Sequence, residues 1–207
     1  FVKRLEDIND RLDRAWSPIS HLNSVANSDE VREAYNACLP LLSDYGTEMG
    51  QHLGLYNAVK ALNGKTEALN LDSVQKKILQ DDLRDFKLSG VSLSDDKKKR
   101  YGEIQKRLSE LTSKFEQNLL DATMAWHKDF DGYRIPLDFP SYLPVMMHAN
   151  NRELRKEAYT AFSTRASDQG PNAGTFDNSD LMPEILNLRH ELAQLLDFEH
   201  YGELSLA

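Results

Sequence analysis

Apolar residues recur every three or four positions over most of the chain, which is the spacing of one face of an α-helix. The first clear series runs from Val31 to Leu53. It follows Asn27 and Glu30, whose separation by three residues is typical of a helix-capping pair. Because Pro40 falls inside the series, the pattern predicts a helix with a kink or a break at that residue.

Two further helices are predicted in the first two thirds of the chain. One begins at Asp72 or Ser73 and ends near Gly90. The other begins at the capping residues 94–96 and keeps its apolar spacing as far as Trp126. A helix of about 30 residues is roughly 45 Å long. Such a helix needs neighbours along its length, and it therefore indicates an elongated helical array.

The pattern changes in the segment 127–145, where apolar residues alternate at period two and prolines are interspersed. Alternation indicates a strand, and the prolines restrict it to an edge strand or a short hairpin. The alternating residues are Tyr133, Ile135, Leu137 and Phe139. Helix returns from about Asn151, a loop is predicted over 167–179 from its composition, and a last helix begins near Asp180.

These elements predict a mainly α fold, an elongated helical bundle or array with one small β-hairpin near residues 127–139. A chain of 207 residues is large enough to bury a core and suits one domain or at most two. We expect a single helical region over 1–207, with long helices over 1–126, a hairpin-like segment over 127–145 and helices over 146–207.

Charge and cysteine content narrow the classes of function. A net charge of −8 argues against a general affinity for nucleic acid or anionic membranes. The basic run at 97–100 is accordingly predicted to be a solvated helix turn. No apolar run approaches the length of a membrane span, about 18 residues. The single cysteine, Cys38, excludes an internal disulfide and is expected in a reducing compartment, most simply the cytoplasm.

The stretch RHELAQLL (189–196) begins like the zinc-peptidase motif H-E-x-x-H, with His190 and Glu191. Gln194 stands where the motif needs its second histidine, and an amide is a poor zinc ligand. His190 also lies about 200° round the helix from Leu188, away from the main apolar stripe. We therefore interpret the stretch as an amphipathic helix with a polar or half-buried histidine on its second face.

Other residues that could bind a metal or take part in catalysis are also interpreted as structural. His200 and Glu203 are three positions apart, but two candidate ligands do not make a metal site. Cys38 lies on an apolar helical face and is interpreted as a core residue. The stretch GPNAG (170–174) lacks the spacing of a phosphate-binding loop. From the residues alone, no catalytic residue and no metal ligand is predicted in this chain.

Eight stretches, in order along almost the whole chain, carry a specific signal. They are SPISHLNSV (17–25), REAYNACLPLLSDY (32–45), GQHLGLY (50–56), RYGEIQKRLSELTSKF (100–115), LDATMAW (120–126), LDFPSYLPVM (137–146), STRASDQGPNAG (163–174) and EILNLRHELAQLLDFEHY (184–201). The most specific is STRASDQGPNAG, because a generic helical bundle does not require that string. Together these stretches resemble the thimet (M3) family of zinc metallo-oligopeptidases, and in particular the N-terminal region of its oligopeptidase A subgroup.

The resemblance implies a mostly helical, two-lobed enzyme in which short peptides enter a deep channel that excludes folded proteins. In the family, one zinc ion is held by both histidines of H-E-x-x-H and a later glutamate, and the glutamate of the motif activates the bound water. Those residues lie downstream of this region, so the resemblance implies that the catalytic domain and the zinc ligands are outside the chain. None of these roles is carried onto a residue of this sequence.

The first functional hypothesis is the channel-wall region of a cytoplasmic oligopeptidase that hydrolyses short peptides, including cleaved signal peptides by family analogy, with this piece inactive alone. The alternative is a stand-alone, non-catalytic helical domain that binds peptides or proteins. The residues that contact substrate are unknown. Arg165 and the loop 167–179 are candidates only because their composition is polar and specific, and a connecting role is the more common one for a loop.

One junction departs from the family pattern. Phe130 joins Asp131 directly, whereas relatives carry an extra helical segment there. A deletion in this protein would explain the junction, and so would a loop whose residues are absent from the sequence, with its two ends joined. We favour the second explanation, since the tip of such a hairpin is expected to be mobile.

Overall fold

A computed structural model describes residues 2–207 and, over that range, contains helices and one two-stranded antiparallel sheet. The mainly α fold class with a single small hairpin is confirmed. The helices are α1 (Val2–Val25), α2 (Asp29–Gly50), α3 (Leu53–Asn63), α4 (Ser73–Leu88), α5 (Asp95–Ala125), α6 (Phe139–His148), α7 (Arg152–Ser163), α8 (Leu181–Leu195) and α9 (Tyr201–Leu206). The strands are β1 (His127–Phe130) and β2 (Tyr133–Pro136).

Several predicted helix starts are confirmed, because capping side chains fix them. The carboxylate of Asp72 accepts a hydrogen bond from the Gln75 backbone N–H at 2.8 Å, and the Gln75 side chain accepts one from the Asp72 N–H at 3.1 Å. This reciprocal capping box starts α4. Asn151 starts α7 in a similar way, with its side-chain oxygen 3.0 Å from the Leu154 nitrogen. The long helix α5 has 31 residues, as its apolar spacing predicts.

The predicted capping pair of α2 is wrong. Ser28 is the N-cap, and its hydroxyl accepts a hydrogen bond from the Val31 N–H at 3.3 Å. Asn27 instead donates its amide to the Asn23 carbonyl at 2.6 Å. Both Asn27 and Ser28 are good capping residues, and the local hydrogen bond of Asn27 to the preceding helix decides between them.

Of the kink or break expected at Pro40, the break is not found, since α2 continues through that residue for 22 residues in all, and the kink stays a prediction. Proline removes one N–H donor, and the remaining hydrogen bonds of a long helix tolerate that loss. The predicted helix over 31–53 also extends too far, because α2 ends at Gly50. Leu53 begins α3, because the ring nitrogen Nδ1 of His52 caps that helix by accepting a hydrogen bond from the Leu55 N–H at 3.1 Å.

The hairpin is closed by a two-residue turn. Phe130 pairs with Tyr133, and between them Asp131 has φ 51° and Gly132 has φ 79°. Two positive φ values are what a type I′ turn requires, and Asp-Gly is one of its preferred sequences. The turn closes the hairpin with no additional residues, and the absent-loop explanation of this junction stays a prediction.

The hairpin-like segment ends earlier than predicted, because α6 begins at Phe139. Asp138 caps this helix by accepting a hydrogen bond from the Ser141 N–H at 3.0 Å. Pro140 lies in the first turn, where its missing N–H costs nothing. A cap followed by an early proline therefore overrides the period-two alternation, which reaches Phe139.

The turn glycine gives a first testable prediction. Replacing Gly132 with alanine is expected to lower the free energy of unfolding by about 1 kcal/mol, because alanine is strained at positive φ. An added Cβ meets nothing within 4 Å, so no clash contributes. Gly46, inside α2, also has open space around it. Gly46→Ala should therefore raise stability by about 1 kcal/mol. Urea unfolding of both variants checks the opposite signs, and equal signs would contradict the turn assignment.

The described chain divides into two compact units. The first contains residues up to Glu110 together with Asn187–Ala207, and the second is Leu111–Leu186. In the first, the buried side chains of Tyr101, Ile104 and Leu192 form the centre of the core. In the second, the most buried apolar residues include Leu137, Leu154, Ala158 and Ala161. The single-region organisation stays a prediction. No helix within residues 2–207 combines the length and the apolar character needed to cross a membrane.

Candidate functional site

The polar residues of RHELAQLL are engaged in holding helices together. The carboxylate of Glu191 accepts two hydrogen bonds from Arg100, with Nε–Oε1 at 2.6 Å and Nη2–Oε2 at 2.7 Å. This bidentate geometry is the strong form of an Arg–carboxylate pair, and it joins α5 to α8. Arg100 ends the basic run that the sequence predicted to be a solvated turn; its side chain is 43% exposed and forms this ion pair at the helix surface. His190 is exposed, which confirms its orientation away from the apolar stripe.

Gln194 also has a structural role in this stretch. Its amide nitrogen Nε2 donates to the carbonyl oxygens of Phe198 at 3.0 Å and Glu199 at 2.8 Å. Those hydrogen bonds hold the chain as it leaves α8, where backbone carbonyls lack helical partners. The Arg189 guanidinium lies 4.9 Å from the centroid of the Tyr201 ring, within cation–π range. The residue in the position of the second motif histidine therefore supports a helix end.

The pair His200 and Glu203 forms a cap. Nδ1 of His200 accepts a hydrogen bond from the Glu203 N–H at 3.0 Å, and the Glu203 carboxylate accepts one from the Glu199 N–H at 2.8 Å. Both side chains are thereby committed to starting α9. Among residues 2–207, no three His, Cys, Asp or Glu side chains are grouped so that they could hold a metal ion. Cys38 is half-buried and has no disulfide partner.

The ion pair of α5 and α8 gives a second prediction. Hydrogen bonds from Arg100 lower the pKa of the Glu191 carboxyl below its ordinary value. A carboxyl with a lowered folded-state pKa stabilises the fold above its unfolded pKa, about 4.3, and this contribution is lost as pH falls through the folded pKa. Arg100→Gln should raise the pKa of Glu191, measured by NMR titration. Arg107→Gln on the same helix serves as the control and should leave it unchanged.

Because both side chains are about 40% exposed, the effect of the pair on stability is expected to be below about 1 kcal/mol. The titration is therefore the more sensitive measurement. An unchanged pKa of Glu191 in Arg100→Gln would contradict the bidentate geometry.

Arg165, a candidate for substrate contact, is engaged within the second unit. Its Nε donates to the Phe162 carbonyl at 2.9 Å, and its Nη1 donates to the Thr123 hydroxyl at 3.0 Å. The guanidinium carbon lies 3.6 Å from the centroid of the Phe162 ring. Partial burial lowers the pKa of Arg165. These contacts tie the end of α7 to α5 and give the residue a structural role; its contact with substrate stays a prediction.

The loop 167–179 contains no helix or strand, as predicted, and it is anchored at its end by Asn178, which is 2% exposed. The side-chain oxygen of Asn178 accepts a hydrogen bond from the Asn118 amide at 2.8 Å. Its own amide donates to the Phe115 carbonyl at 3.1 Å, and its backbone N–H donates to the Ala166 carbonyl at 3.0 Å. Sequence reasoning missed this anchor, since nothing local marks two asparagines 60 positions apart as partners.

Glycine is required at one position of this loop for two reasons. Gly170 has φ +82°, and an added Cβ would lie 1.9 Å from the Thr164 hydroxyl oxygen. Gly174 has a similar φ of +74°, but nothing lies within 4 Å of its added Cβ. Gly170, within the string STRASDQGPNAG, therefore has a structural role in the turn. The role of the loop in substrate contact stays a prediction.

Two family models match the chain. The model described as Neurolysin/Thimet oligopeptidase, N-terminal domain, matches residues 1–98, and the model described as Peptidase family M3 matches residues 145–207. Together they cover most of the chain, on either side of a central segment, 99–144, that contains most of α5, the hairpin and the first half of α6.

Full-length relatives agree with these matches. Oligopeptidase A of Haemophilus influenzae is 54% identical over the whole chain, and oligopeptidase A of Escherichia coli is 51% identical over 98% of it. A protein of Arabidopsis thaliana named probable cytosolic oligopeptidase A is 34% identical over the whole chain. In each case the chain spans about a third of the relative, 34% of its length.

The alignment with the Haemophilus influenzae protein covers 233 positions, so at least 26 of them have no counterpart among the 207 residues of this chain. The rest of the alignment follows the chain from end to end, with more than half of the positions identical. The chain therefore belongs to peptidase family M3, in which it corresponds to the N-terminal region of its oligopeptidase A relatives.

Proposed function

We propose that the chain is the N-terminal, helical channel-wall region of a zinc metallo-oligopeptidase that hydrolyses short peptides. The observation that carries the proposal is 54% identity, over the whole chain, to a protein named oligopeptidase A. The match to the Peptidase family M3 model over 145–207 supports the same enzyme class. These findings do not favour a stand-alone interaction domain.

The zinc ligands of this enzyme are proposed to lie outside the chain, because the residues present do not fit a zinc site. Glu191 is held by both nitrogens of the Arg100 fork, and Gln194 uses its amide to hold two carbonyls. His190 has no second histidine one turn away on its helix. We accordingly expect residues 1–207 to be inactive alone and to contribute structure to the enzyme.

The structural contribution is a wall of the channel that admits short peptides and excludes folded proteins. Substrates of the complete protein are proposed to be short peptides, including cleaved signal peptides. We also propose a cytoplasmic location, which the single cysteine supports.

The test uses the complete protein and a short fluorogenic peptide. Hydrolysis is expected, a chelator should abolish it, and added zinc should restore it. The same scissile sequence placed in a folded protein should resist cleavage, and cleavage there would contradict the size limit.

A purified 1–207 fragment, checked for helical circular dichroism, should not cleave the peptide. Chelator-sensitive hydrolysis by that fragment would overturn the claim that the ligands lie elsewhere. A natural stop codon immediately after Ala207 would overturn the proposed function as a whole.

A further inference from the structure

The outward face of α6 is apolar apart from His148 at its end. The sequence of this helix, FPSYLPVMMH, contains no Asp, Glu, Lys or Arg. The exposed fractions are 59% for Phe139, 39% for Leu143 and 63% for Met147, at positions i, i+4 and i+8 of one helix face. The outward face of α6, as the term is used below, consists of Phe139, Pro140, Leu143, Pro144, Met147 and His148.

The opposite face of α6 already has a partner. The ring of Tyr142 stacks on the ring of Phe162 in α7, with centroids 4.0 Å apart and an interplanar angle of 8°. Val145 and Met146 are half-buried on the same inward side. Phe139, on the outward face, also reaches the Phe162 ring, with centroids 6.5 Å apart, and remains 59% exposed. The rest of the outward face is a second apolar surface on a helix whose inward surface is already packed.

The neighbouring helix α7 provides the comparison within the same unit. Its buried residues are Leu154, Ala158 and Ala161. Its exposed positions are mostly charged or polar, and those with charge are Arg152, Glu153, Lys156 and Glu157. This is the ordinary composition of a solvated helix face, whereas a helix that is apolar all round is typically buried. The difference between α6 and α7 indicates that the outward face of α6 is covered in the complete protein.

We propose that the outward face of α6 is an interface that packs against the remainder of the same polypeptide, the part that the full-length relatives have beyond this third. This inference rests on the proposed function. The match to the Peptidase family M3 model begins at residue 145, inside α6, so this helix stands at the start of the part of the chain that matches the peptidase model. The chain spans 34% of the length of its Haemophilus influenzae relative, which leaves ample polypeptide to cover the face.

The size of the face favours an intramolecular occupant over a second copy of the chain. A helix of ten residues is about 15 Å long and about 10 Å wide, so one face covers on the order of 150 Å². A stable interface between separate proteins buries roughly 800 Å² on each partner. A segment of the same polypeptide needs less area, because it loses no translational freedom when it packs.

The test measures side-chain accessibility in the complete protein. Met147→Cys on the outward face of α6 and Lys156→Cys on α7 are each treated with a maleimide, and mass spectrometry maps the labelled position, so that other cysteines do not interfere. Cysteine at 147 should react at least tenfold more slowly than cysteine at 156 under native conditions, and the two rates should become equal in urea. Similar native rates would overturn the proposal.

Two further arms keep the outcome unambiguous. Protection at 147 should persist over a hundredfold dilution, and protection lost on dilution would identify a second copy as the occupant and overturn the proposal. If Met147→Cys does not fold by circular dichroism, Phe139→Cys takes its place. Zinc-dependent peptide hydrolysis is measured in parallel. An active enzyme with an accessible 147 refutes only this interface, whereas protection without any peptidase activity refutes only the proposed function.

Discussion

Replacing Gly170 with alanine is expected to lower the free energy of unfolding by about 2–4 kcal/mol. Part of this loss is backbone strain, about 1 kcal/mol, because Gly170 has φ +82°. The rest comes from overlap, since the new Cβ would lie 1.9 Å from the Thr164 hydroxyl oxygen and 2.8 Å from its Cβ. Such crowding in a packed site typically costs about 1–3 kcal/mol. Urea unfolding followed by circular dichroism measures the change.

Gly174→Ala is the matched control, because its φ of +74° imposes the same strain with open space around the new methyl group. It should cost about 1 kcal/mol. In a Thr164→Ala background, which removes the nearer oxygen, Gly170→Ala should cost less than it does in the natural sequence. A loss at 170 no greater than the loss at 174 would contradict the close approach to Thr164.

Replacing Asn178 with leucine is expected to lower the free energy of unfolding by about 3 kcal/mol. The side chain is 2% exposed, and its removal leaves the Asn118 amide and the Phe115 carbonyl without the hydrogen bonds described above. A buried polar group that loses its partner costs about 1–3 kcal/mol, and the Asn118 amide becomes such a group. The Phe115 carbonyl loses its second hydrogen bond and keeps the one within α5. Asn150→Leu, at an exposed position, should change stability by no more than about 0.5 kcal/mol.

The partner relationship is tested by a double substitution. Asn118 is itself only 6% exposed, so Asn118→Leu alone should also destabilise the protein. The pair Asn118→Leu and Asn178→Leu should cost clearly less than the two single changes added together, because neither side chain then leaves the other unpaired. Strict additivity would contradict a direct hydrogen bond between the two amides.

The sequence predicts those parts of the fold that depend on neighbouring residues. The starts of α4 and α7 follow from capping side chains three positions from the N–H groups they bind, and the length of α5 follows from an uninterrupted apolar repeat. Where two local signals compete, the sequence alone is weaker. Ser28 rather than Asn27 caps α2, and the cap at Asp138 starts a helix where alternation predicts strand.

In the candidate site, too, features set by neighbouring residues are predictable from the sequence, and long-range contacts are not. The position of Gln194 is enough to predict from the sequence that RHELAQLL is not a zinc motif. The ion pair of Glu191 cannot be predicted from the sequence in this way, because its partner Arg100 lies 91 positions away. The anchor of the 167–179 loop is equally long-range, because Asn118 and Asn178 lie 60 positions apart in the chain, and the role of this loop in substrate contact stays a prediction.

The type I′ turn at Asp131 and Gly132 has a consequence for chain entropy. A two-residue loop has almost no closure entropy to lose, whereas a loop longer by the 26 unmatched positions of the Haemophilus influenzae alignment would lose about 2 kcal/mol more on closing. The four paired residues on each strand are mostly exposed and offer little packing to offset such a loss. A hairpin with a longer tip would therefore need additional contacts made by the tip itself, whereas the short turn needs only the strand pairing and the ion pair of Asp129 and Arg134.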